Sequence, residues 1–175
     1  SLLYGAQAGT FYVQGDADSR ACIRLSGADV VLGGRLKGPV DDDLGNMAGK
    51  ANLKGFAFEY MTLGRAVVLG DPGPWMCSGM TGGVVYVRLQ PDMGMDLAAL
   101  DRRKAKGAMV EIIDRLDTTD EANLADLLGG YADALDDGDQ PDEAREVREL
   151  AVAPHGRFAK VVARNQQVDP AVSTE

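Results

Sequence analysis

The sequence predicts a mainly β fold of the parallel β-helix (solenoid) type, with a small C-terminal α-helical segment and a closing strand. A glycine-led bend followed by a short β-branched run occurs twice between Met61 and Val87, and the two copies are 19 residues apart. The same unit recurs upstream, where the lead glycines Gly9 and Gly27 are separated by 18 residues. Because one turn of this length cannot bury its own apolar side, successive turns are expected to stack in parallel.

The four repeat units each combine a bend with a strand, and they span residues 8–15, 26–33, 63–70 and 82–89. Apolar residues alternate along the strands as half-buried strands require, at Val30, Leu32, Val67, Leu69, Val85 and Val87. A β-sandwich with ordinary hairpin glycines is the alternative, and the fixed spacing across four copies argues against it. Since glycine lets the backbone turn without a Cβ in the way, structural roles are predicted for Gly9, Gly27, Gly64, Gly79, Gly82 and Gly83.

The gap between the second and third lead glycines is 37 residues, about twice the repeat. It holds either two turns or one turn with an insertion. We favour an insertion over residues 35–53, because that stretch contains glycines but lacks the Val-Val-Leu character of the repeat units. Residues 58–61 are then expected to form an intermediate rung, as residues 21–25 and 75–77 do between the other strands.

The composition of the chain changes near Met95. Seventeen of the 22 glycines precede this residue, whereas the net charge of −9 arises almost wholly after it. We therefore predict β-helix repeats over residues 1–95, a helical extension over residues 96–164 that packs on them, and a disordered tail over residues 165–175. Nucleic acid is excluded as a partner, because affinity for nucleic acid rests on cationic surface.

The sequence also bears on the compartment of the protein. It contains no apolar run of the roughly 18 residues that a membrane span needs, and it shows no secretory signal. Ser1 begins abruptly inside a repeat, which is compatible with a longer parent chain. Two cysteines, Cys22 and Cys77, do not form a disulfide framework and indicate a reducing compartment. We therefore predict a cytoplasmic protein with no membrane partner.

Helical patterns dominate the C-terminal part. Thr118 and Glu121 have the spacing of a capping box, and a helical apolar face follows them. Pro141, at a first helical position, opens a second helix. Short strands are expected over residues 109–113 and 158–163.

Candidate chemical groups are few. His155 lies in a Pro-His-Gly turn and is interpreted as an exposed loop residue, whereas Cys22 and Cys77 are interpreted as buried apolar thiols rather than nucleophiles. The basic cluster at residues 102–106 is interpreted as a solvated helix end rather than a docking patch. The acidic run at residues 41–43 is interpreted as a solvated loop rather than a cation site. The sequence therefore predicts no catalytic, cofactor-binding or metal-binding residues in this chain.

Several stretches together resemble a known family. They include Glu59-Tyr60-Met61-Thr62 and Gly79-Met80-Thr81-Gly82-Gly83, and the helical tail with its Phe158-Ala159-Lys160-Val161 ending agrees as well. Over most of residues 3–163 the sequence resembles the C-terminal domain of the glutamate synthase large subunit, the right-handed β-helix called the GXGXG domain. Relative to the family pattern, this chain has a longer link at residues 35–54 and an added stretch at residues 102–106.

The resemblance implies a non-catalytic scaffold domain or subunit of a glutamate synthase-like oxidoreductase, which transfers the amide nitrogen of glutamine to a 2-oxo acid in nitrogen assimilation. The implied partners are glutaminase and FMN synthase domains or subunits. FMN and a [3Fe–4S] cluster are implied for the rest of the complex but not for this chain, because two cysteines cannot supply three thiolates. No catalytic residue of the family maps onto this sequence.

Three alternatives stay open. The chain could be a separate β-helical subunit of a split complex such as N-methylglutamate synthase, or of a formylmethanofuran dehydrogenase-type complex. A self-sufficient enzyme with a site between helices and solenoid is an alternative of another class. In each case we expect the open N-terminal turn to be covered, because it exposes unpaired strand groups and apolar side chains. A partner is favoured over self-association into a homo-oligomer.

Overall fold

A computed structural model describes residues 2–43 and 47–164 of the chain. Its strands are β1 (Thr10–Val13), β2 (Ser26–Leu32), β3 (Leu63–Val68), β4 (Val84–Arg88), β5 (Val110–Ile113) and β6 (Phe158–Ala163). Its α-helices are α1 (Met47–Lys50), α2 (Leu97–Arg103), α3 (Thr118–Asp137) and α4 (Pro141–Val152). A short 3₁₀ helix over Pro91–Met93 lies between β4 and α2.

The six strands form one mixed sheet in the order β1-β2-β3-β4-β6-β5. Strands β1 to β4 are parallel, whereas β6 is antiparallel to both β4 and β5. The fold is therefore mixed α/β, and the prediction of a mainly β right-handed parallel β-helix is wrong. The physical reason is that the C-terminal part joins the sheet formed by the repeats and does not only pack on it. It extends their sheet with two antiparallel strands and covers one of its faces with two helices.

The repeat spacing nevertheless predicts which strands are neighbours. Thr10 pairs with Asp29 and Val67 with Tyr86, which is a register of 19 residues in both cases. Val31 pairs with Val67, a register of 36 residues, because the longer segment with α1 lies between β2 and β3. The parallel stacking expected for these strands is confirmed.

A second layer of stacked turns covers one face of the sheet. We call it the turn layer, and it comprises residues 2–5, 20–24, 56–60 and 75–79. The sequence analysis places intermediate rungs in three of these segments, and the structure shows turns joined by backbone hydrogen bonds. The Cys22 N–H donates to the Leu2 carbonyl at 2.8 Å, and the Phe58 N–H donates to the Ala21 carbonyl at 2.9 Å. An apolar core lies between this layer and the sheet, and it includes Cys22, Val30, Leu32, Phe58, Met76, Val85 and Val87.

Helices α3 and α4 cover the opposite face of the sheet. The core on this side includes Val31, Val67, Leu69, Tyr86, Leu124, Leu128, Tyr131 and Val147. Strands β2 to β4 are therefore apolar on both faces, as strands between two covering layers must be. The prediction that these strands are half-buried is wrong, because it leaves out the helices that bury their second face.

The C-terminal elements agree closely with the sequence analysis. Strands β5 and β6 fall on the expected segments, and Pro141 is the first residue of α4. Helix α3 begins at Thr118, but its capping box is one residue earlier than predicted. The Asp117 carboxylate accepts from the Asp120 N–H, and the Asp120 carboxylate accepts from the Asp117 N–H, each at 2.9 Å. A capping aspartate performs the role that the sequence analysis gives to Thr118.

The two predicted domains share one sheet, since β6 lies beside β4. The division into residues 1–95 and 96–164 stays a prediction, and the predicted disordered tail at residues 165–175 falls outside the described residues. None of the described helices is both long enough and apolar enough to cross a bilayer.

Candidate functional site

A fully buried arginine lies at the centre of the most polar region of the interior. Arg103, the last residue of α2, has no exposed surface. Its Nε and Nη2 donate to Asp71 at 2.6 and 2.9 Å, and its Nη1 and Nη2 donate to Asp42 at 2.8 and 2.7 Å. Nη1 also donates to the carbonyl of Ala99 at 2.8 Å. All five N–H groups of the guanidinium are therefore used.

The position of Asp71 follows from the backbone around it. The residue comes shortly after β3, and its Oδ1 accepts from the Gly73 N–H at 2.8 Å, while its own N–H donates to Asn52 Oδ1 at 2.7 Å. A Cβ at Gly70 would collide with that same Asn52 oxygen. Glycine at this position therefore allows the segment after β3 to approach Asn52.

Asn52 extends the polar network away from Arg103. The side chain is almost fully buried, and its Nδ2 donates to Asp16 Oδ1 and to the Arg35 carbonyl, each at 2.8 Å. Because its Oδ1 accepts from Asp71, one amide joins three segments that are distant in sequence. A buried amide with all of these partners fixes the local backbone.

A cleft of about 400 Å³ opens beside this network. We call it the insertion cleft, because most of its wall comes from residues 36–54. Lys37 lies 3.2 Å from Asp16, and Lys50 lies 3.5 Å from Asp41. Two of the three lysines that line the cleft are therefore paired with carboxylates, and the third, Lys54, donates to the Gly49 carbonyl.

Three groups of the network, Asp42, Asp16 and Arg103, are held in their charged forms. Hydrogen bonds from Arg103 lower the pKa of Asp42 despite the opposing effect of burial. Burial acts to raise the pKa of Asp16, but hydrogen bonds from Asn52 and Lys37 outweigh it and the pKa is lowered. Burial likewise acts to lower the pKa of Arg103, and its two carboxylate partners outweigh that effect and raise it. Fixed charges of this kind support structure rather than proton transfer.

Two charged clusters that the sequence analysis treats separately meet here. Arg102 Nε donates to Asp42 at 3.0 Å, beside the contacts of Arg103 with the same carboxylate. The interpretation of residues 102–106 as a solvated helix end is therefore wrong for Arg103, and Asp42 is not a solvated loop residue. The opposite charge of these two segments is the signal that could have indicated their contact.

Five of the six glycines predicted to be structural have positive φ, and these are Gly9, Gly27, Gly64, Gly79 and Gly83. A Cβ at Gly27 would collide with the Gln7 carbonyl, and a Cβ at Gly64 would lie 2.5 Å from the Ala28 carbonyl. Gly82 is not among the residues with positive φ, and its N–H donates to the Met61 carbonyl at 3.3 Å. Their structural roles remain predictions for mutagenesis.

The other candidate groups do not form a reactive set. His155 is exposed, with its Nε2 atom 3.1 Å from Glu121 Oε1. Cys22 and Cys77 are fully buried, and burial raises the pKa of each thiol to about 12. Among residues 2–43 and 47–164, no three metal-ligating side chains lie together. Two buried thiols also do not fit a [3Fe–4S] cluster, which needs three thiolates.

A second buried network, which the sequence analysis misses, joins α3 to the sheet. Tyr86 Oη donates to Asp120 Oδ1 at 2.8 Å, and Lys160 Nζ donates to Asp120 Oδ2 at 2.7 Å. Asn123 Nδ2 donates to the Tyr86 hydroxyl at 2.9 Å. Burial acts to raise the pKa of Asp120, but Lys160 and the other donors outweigh it and the pKa is lowered. Since these residues lie on three elements, no local sequence pattern indicates their contact.

Comparisons of the sequence with family models and with curated proteins agree with each other. A family model described as GXGXG motif matches residues 45–152. "Glutamate synthase [NADH]" of Schizosaccharomyces pombe is 35% identical over 127 residues, which are 73% of this chain and 5% of that protein. "Glutamate synthase [NADPH] large chain" of Bacillus subtilis is 37% identical over 84 residues, 48% of this chain and 4% of that protein.

A third relative, "Ferredoxin-dependent glutamate synthase" of Cyanidium caldarium, is 32% identical over 123 residues. The match covers 66% of this chain and 7% of that protein. The chain thus spans less than a tenth of the length of these curated relatives. The resemblance described from the sequence is confirmed.

Proposed function

Because this chain belongs to the GXGXG motif family, we propose that it is a non-catalytic structural module of a glutamate synthase-like oxidoreductase. In this role it holds glutaminase and FMN-binding synthase parts in place for glutamine-dependent amidotransfer. The family match over residues 45–152 and the glutamate synthase relatives support this proposal. FMN and the [3Fe–4S] cluster would then reside on the partner parts, since the two thiols of this chain do not fit that cluster.

One of the two edges of the sheet, strand β1, carries the proposal. Strand β1 stands at the end of the strand order and has one neighbour, β2, among the described residues. The Gly9 and Val13 carbonyls accept from Asp29 and Gly33 of the β2 region. Because backbone groups alternate sides along a strand, the N–H groups of Thr10 and its second neighbour Tyr12 point away from β2.

An edge of this kind suits attachment to another polypeptide. Phe11 and Tyr12 are each more than a third exposed, and β1 contains no charged residue. Natural edge strands that stay free are usually protected by charge, proline or a bulge. An unprotected edge with exposed aromatic side chains therefore favours a partner that adds a strand or covers the edge.

Reconstitution tests the proposed function. The chain is co-expressed with the glutaminase and FMN-binding synthase polypeptides of its own organism, and glutamine-dependent glutamate formation is measured with and without the chain. We expect a stable complex of all three parts and a strong dependence of activity on this chain. Equal activity and assembly without the chain would overturn the proposal.

A matched pair of variants connects the result to β1. Thr10→Pro removes an outward N–H while leaving the contacts with β2, whereas Thr10→Val keeps that N–H and the β-branched shape. We expect Thr10→Pro to weaken assembly and Thr10→Val to assemble like the natural chain. Circular dichroism of both variants checks that the fold is retained.

A further inference from the structure

An exposed column of side chains runs along one side of the turn layer. Arg20, Phe56 and Trp75 occupy equivalent positions in three successive turns, since the Arg20 N–H donates to the Gly55 carbonyl and the Phe56 N–H to the Pro74 carbonyl. The Phe56 and Trp75 rings stack with centroids 4.8 Å apart, and the Arg20 guanidinium carbon lies 5.7 Å from the Phe56 centroid. We call these three residues the aromatic ladder.

The ladder residues share a left-handed backbone conformation. Arg20, Phe56 and Trp75 have φ values of 62°, 57° and 60°, in the left-handed region where glycine is the least strained residue. At the other end of the same turns, Arg24, Tyr60 and Gly79 are also left-handed, so two of these three positions likewise carry a large side chain. Left-handed residues other than glycine are thus a regular feature of the turn layer, and the ladder places two large aromatic residues and an arginine at three such positions.

The ladder is exposed and has the composition of an interaction surface. Trp75 is 49% exposed, and Arg20 is exposed as well. Tryptophan, arginine and other aromatic residues dominate the binding energy of protein interfaces. A guanidinium held over a ring is also pre-positioned, so that its edge can bind a carboxylate with little loss of side-chain freedom.

The local charge indicates what kind of partner fits. Arg20 has no carboxylate partner within the described residues, and Lys54, two residues before Phe56, donates to the Gly49 carbonyl rather than to an acid. Asp18 is the acidic residue nearest to Arg20 in sequence. In a chain of net charge −9, this side of the turn layer thus presents two cations, Arg20 and Lys54, with one acidic residue, Asp18, close to them in sequence.

We propose that the aromatic ladder is the docking surface for an acidic polypeptide segment of a partner, which places a carboxylate against Arg20 and an apolar side chain against Trp75. The inference rests on the proposed function, because it specifies how an assembled partner is recognised. It concerns a surface different from the β1 edge. The two surfaces can therefore be tested separately.

Trp75 is the single tryptophan of the chain, so its fluorescence reports directly on the ladder. The probe is a short peptide of alternating leucine and glutamate, and the comparison peptide has glutamine in place of each glutamate. We expect saturable changes in Trp75 emission with the glutamate peptide and binding about tenfold weaker with the glutamine peptide, as for the loss of charge-assisted hydrogen bonds.

Two arginine variants complete the experiment. Arg20→Ala should abolish the preference for glutamate, and it leaves a residue with a Cβ at the same left-handed position. Arg157→Ala is the matched control, because Arg157 is also exposed and lies over no aromatic ring in the described part of the chain. It should bind both peptides like the natural chain.

The outcomes separate the two proposals. No saturable change in Trp75 emission, equal binding of the two peptides, or an unchanged preference in Arg20→Ala would overturn the ladder as an acidic docking surface. The same results in a chain that still assembles in the reconstitution would leave the proposed function standing. Glutamate-selective binding that depends on Arg20 supports the inference, even where reconstitution fails and the proposed function is overturned.

Discussion

Arg103 Nη2 lies 2.7 Å from Asp42 Oδ1, and this contact joins two segments that are 61 residues apart in the sequence. The arginine ends α2, and the aspartate belongs to the segment between β2 and β3. Arg103 is fully buried, and the Asp42 side chain is 10% exposed. The two segments therefore stabilise each other rather than forming independent surface loops.

Replacement of Arg103 should be strongly destabilising. Arg103→Met removes the cation and leaves the Asp42 and Asp71 carboxylates in a poorly solvated site, which typically costs about 3–5 kcal/mol. Urea unfolding at pH 7 measures the loss in free energy of unfolding. Arg102→Ala is the matched control, because Arg102 contacts the same Asp42 but is half exposed, and exposed pairs contribute roughly 0–1 kcal/mol. Similar losses in both variants would contradict the account.

Acid should destabilise the protein through Asp42. The Arg103 hydrogen bond lowers the pKa of Asp42 below its ordinary value of 3.8. A carboxyl whose pKa is lowered by folding contributes stability above its ordinary pKa, and that contribution is lost as the pH falls through the lower folded value. We expect the Asp42 contribution to be constant from about pH 5 upward and to decline below about pH 4. Urea unfolding at several pH values measures this decline.

Asp42→Asn provides the comparison for the pH series. It should be less stable than the natural chain at pH 7 and should lose less stability on acidification, because one of the titrating groups is absent. If the free energies of unfolding of Asp42→Asn and the natural chain differ by a constant amount from neutral to acidic pH, Asp42 is not the cause of the acid destabilisation.

Replacement by alanine should change stability in opposite directions at a glycine that begins a strand and at a glycine inside a helix. Gly64 has a φ of 110°, and a Cβ there would lie 2.5 Å from a backbone carbonyl. Gly64→Ala should therefore cost more than about 1 kcal/mol through backbone strain. Gly129 lies in α3 with open space around it, and Gly129→Ala should stabilise by roughly 0.5–1 kcal/mol. Thermal or urea unfolding of the pair tests the contrast, and equal effects would contradict it.

Both cysteines should be unreactive in the folded protein. Burial raises the pKa of Cys22 and of Cys77 to about 12, so the thiolate is scarce at pH 8 and also inaccessible. We expect a thiol reagent such as dithionitrobenzoate to label both residues only after unfolding in urea. Fast labelling of either residue under native conditions would show that the core between the turn layer and the sheet opens readily.

The sequence allows much of the strand arrangement to be predicted, because the repeat spacing identifies which strands lie side by side in the sheet. The 19-residue spacing places Val67 beside Tyr86, and local signals such as Pro141 locate α4. The fold class depends on which elements cover each face of the sheet and on whether a later segment of the chain adds strands to that sheet. The antiparallel pairing of Val85 with Val161 joins residues far apart in sequence, and no local pattern indicates it.

The polar interior is harder to predict for the same reason. Arg103, Asp71 and Asp42 each read as an ordinary surface residue in their own sequence segment. Tertiary contact turns them into a buried cluster. The hydrogen bonds from the Asp71 N–H to Asn52 and from the Gly73 N–H to Asp71 depend on backbone positions that no side-chain pattern encodes. The burial of Cys22 and Cys77 is predicted correctly, because that prediction needs only their apolar neighbours.

Hydrogen exchange at β1 tests the central claim most directly. The amides of Thr10 and Tyr12 point away from β2, and assembly through this edge requires that they become covered. Mass spectrometry with resolution at single residues would compare the isolated chain with the complex that contains the glutaminase and synthase parts. We predict rapid exchange of both amides in the isolated chain and strong protection in the complex. Strong protection in the isolated monomer, or unchanged rapid exchange in the complex, would contradict the role of β1 as the attachment edge.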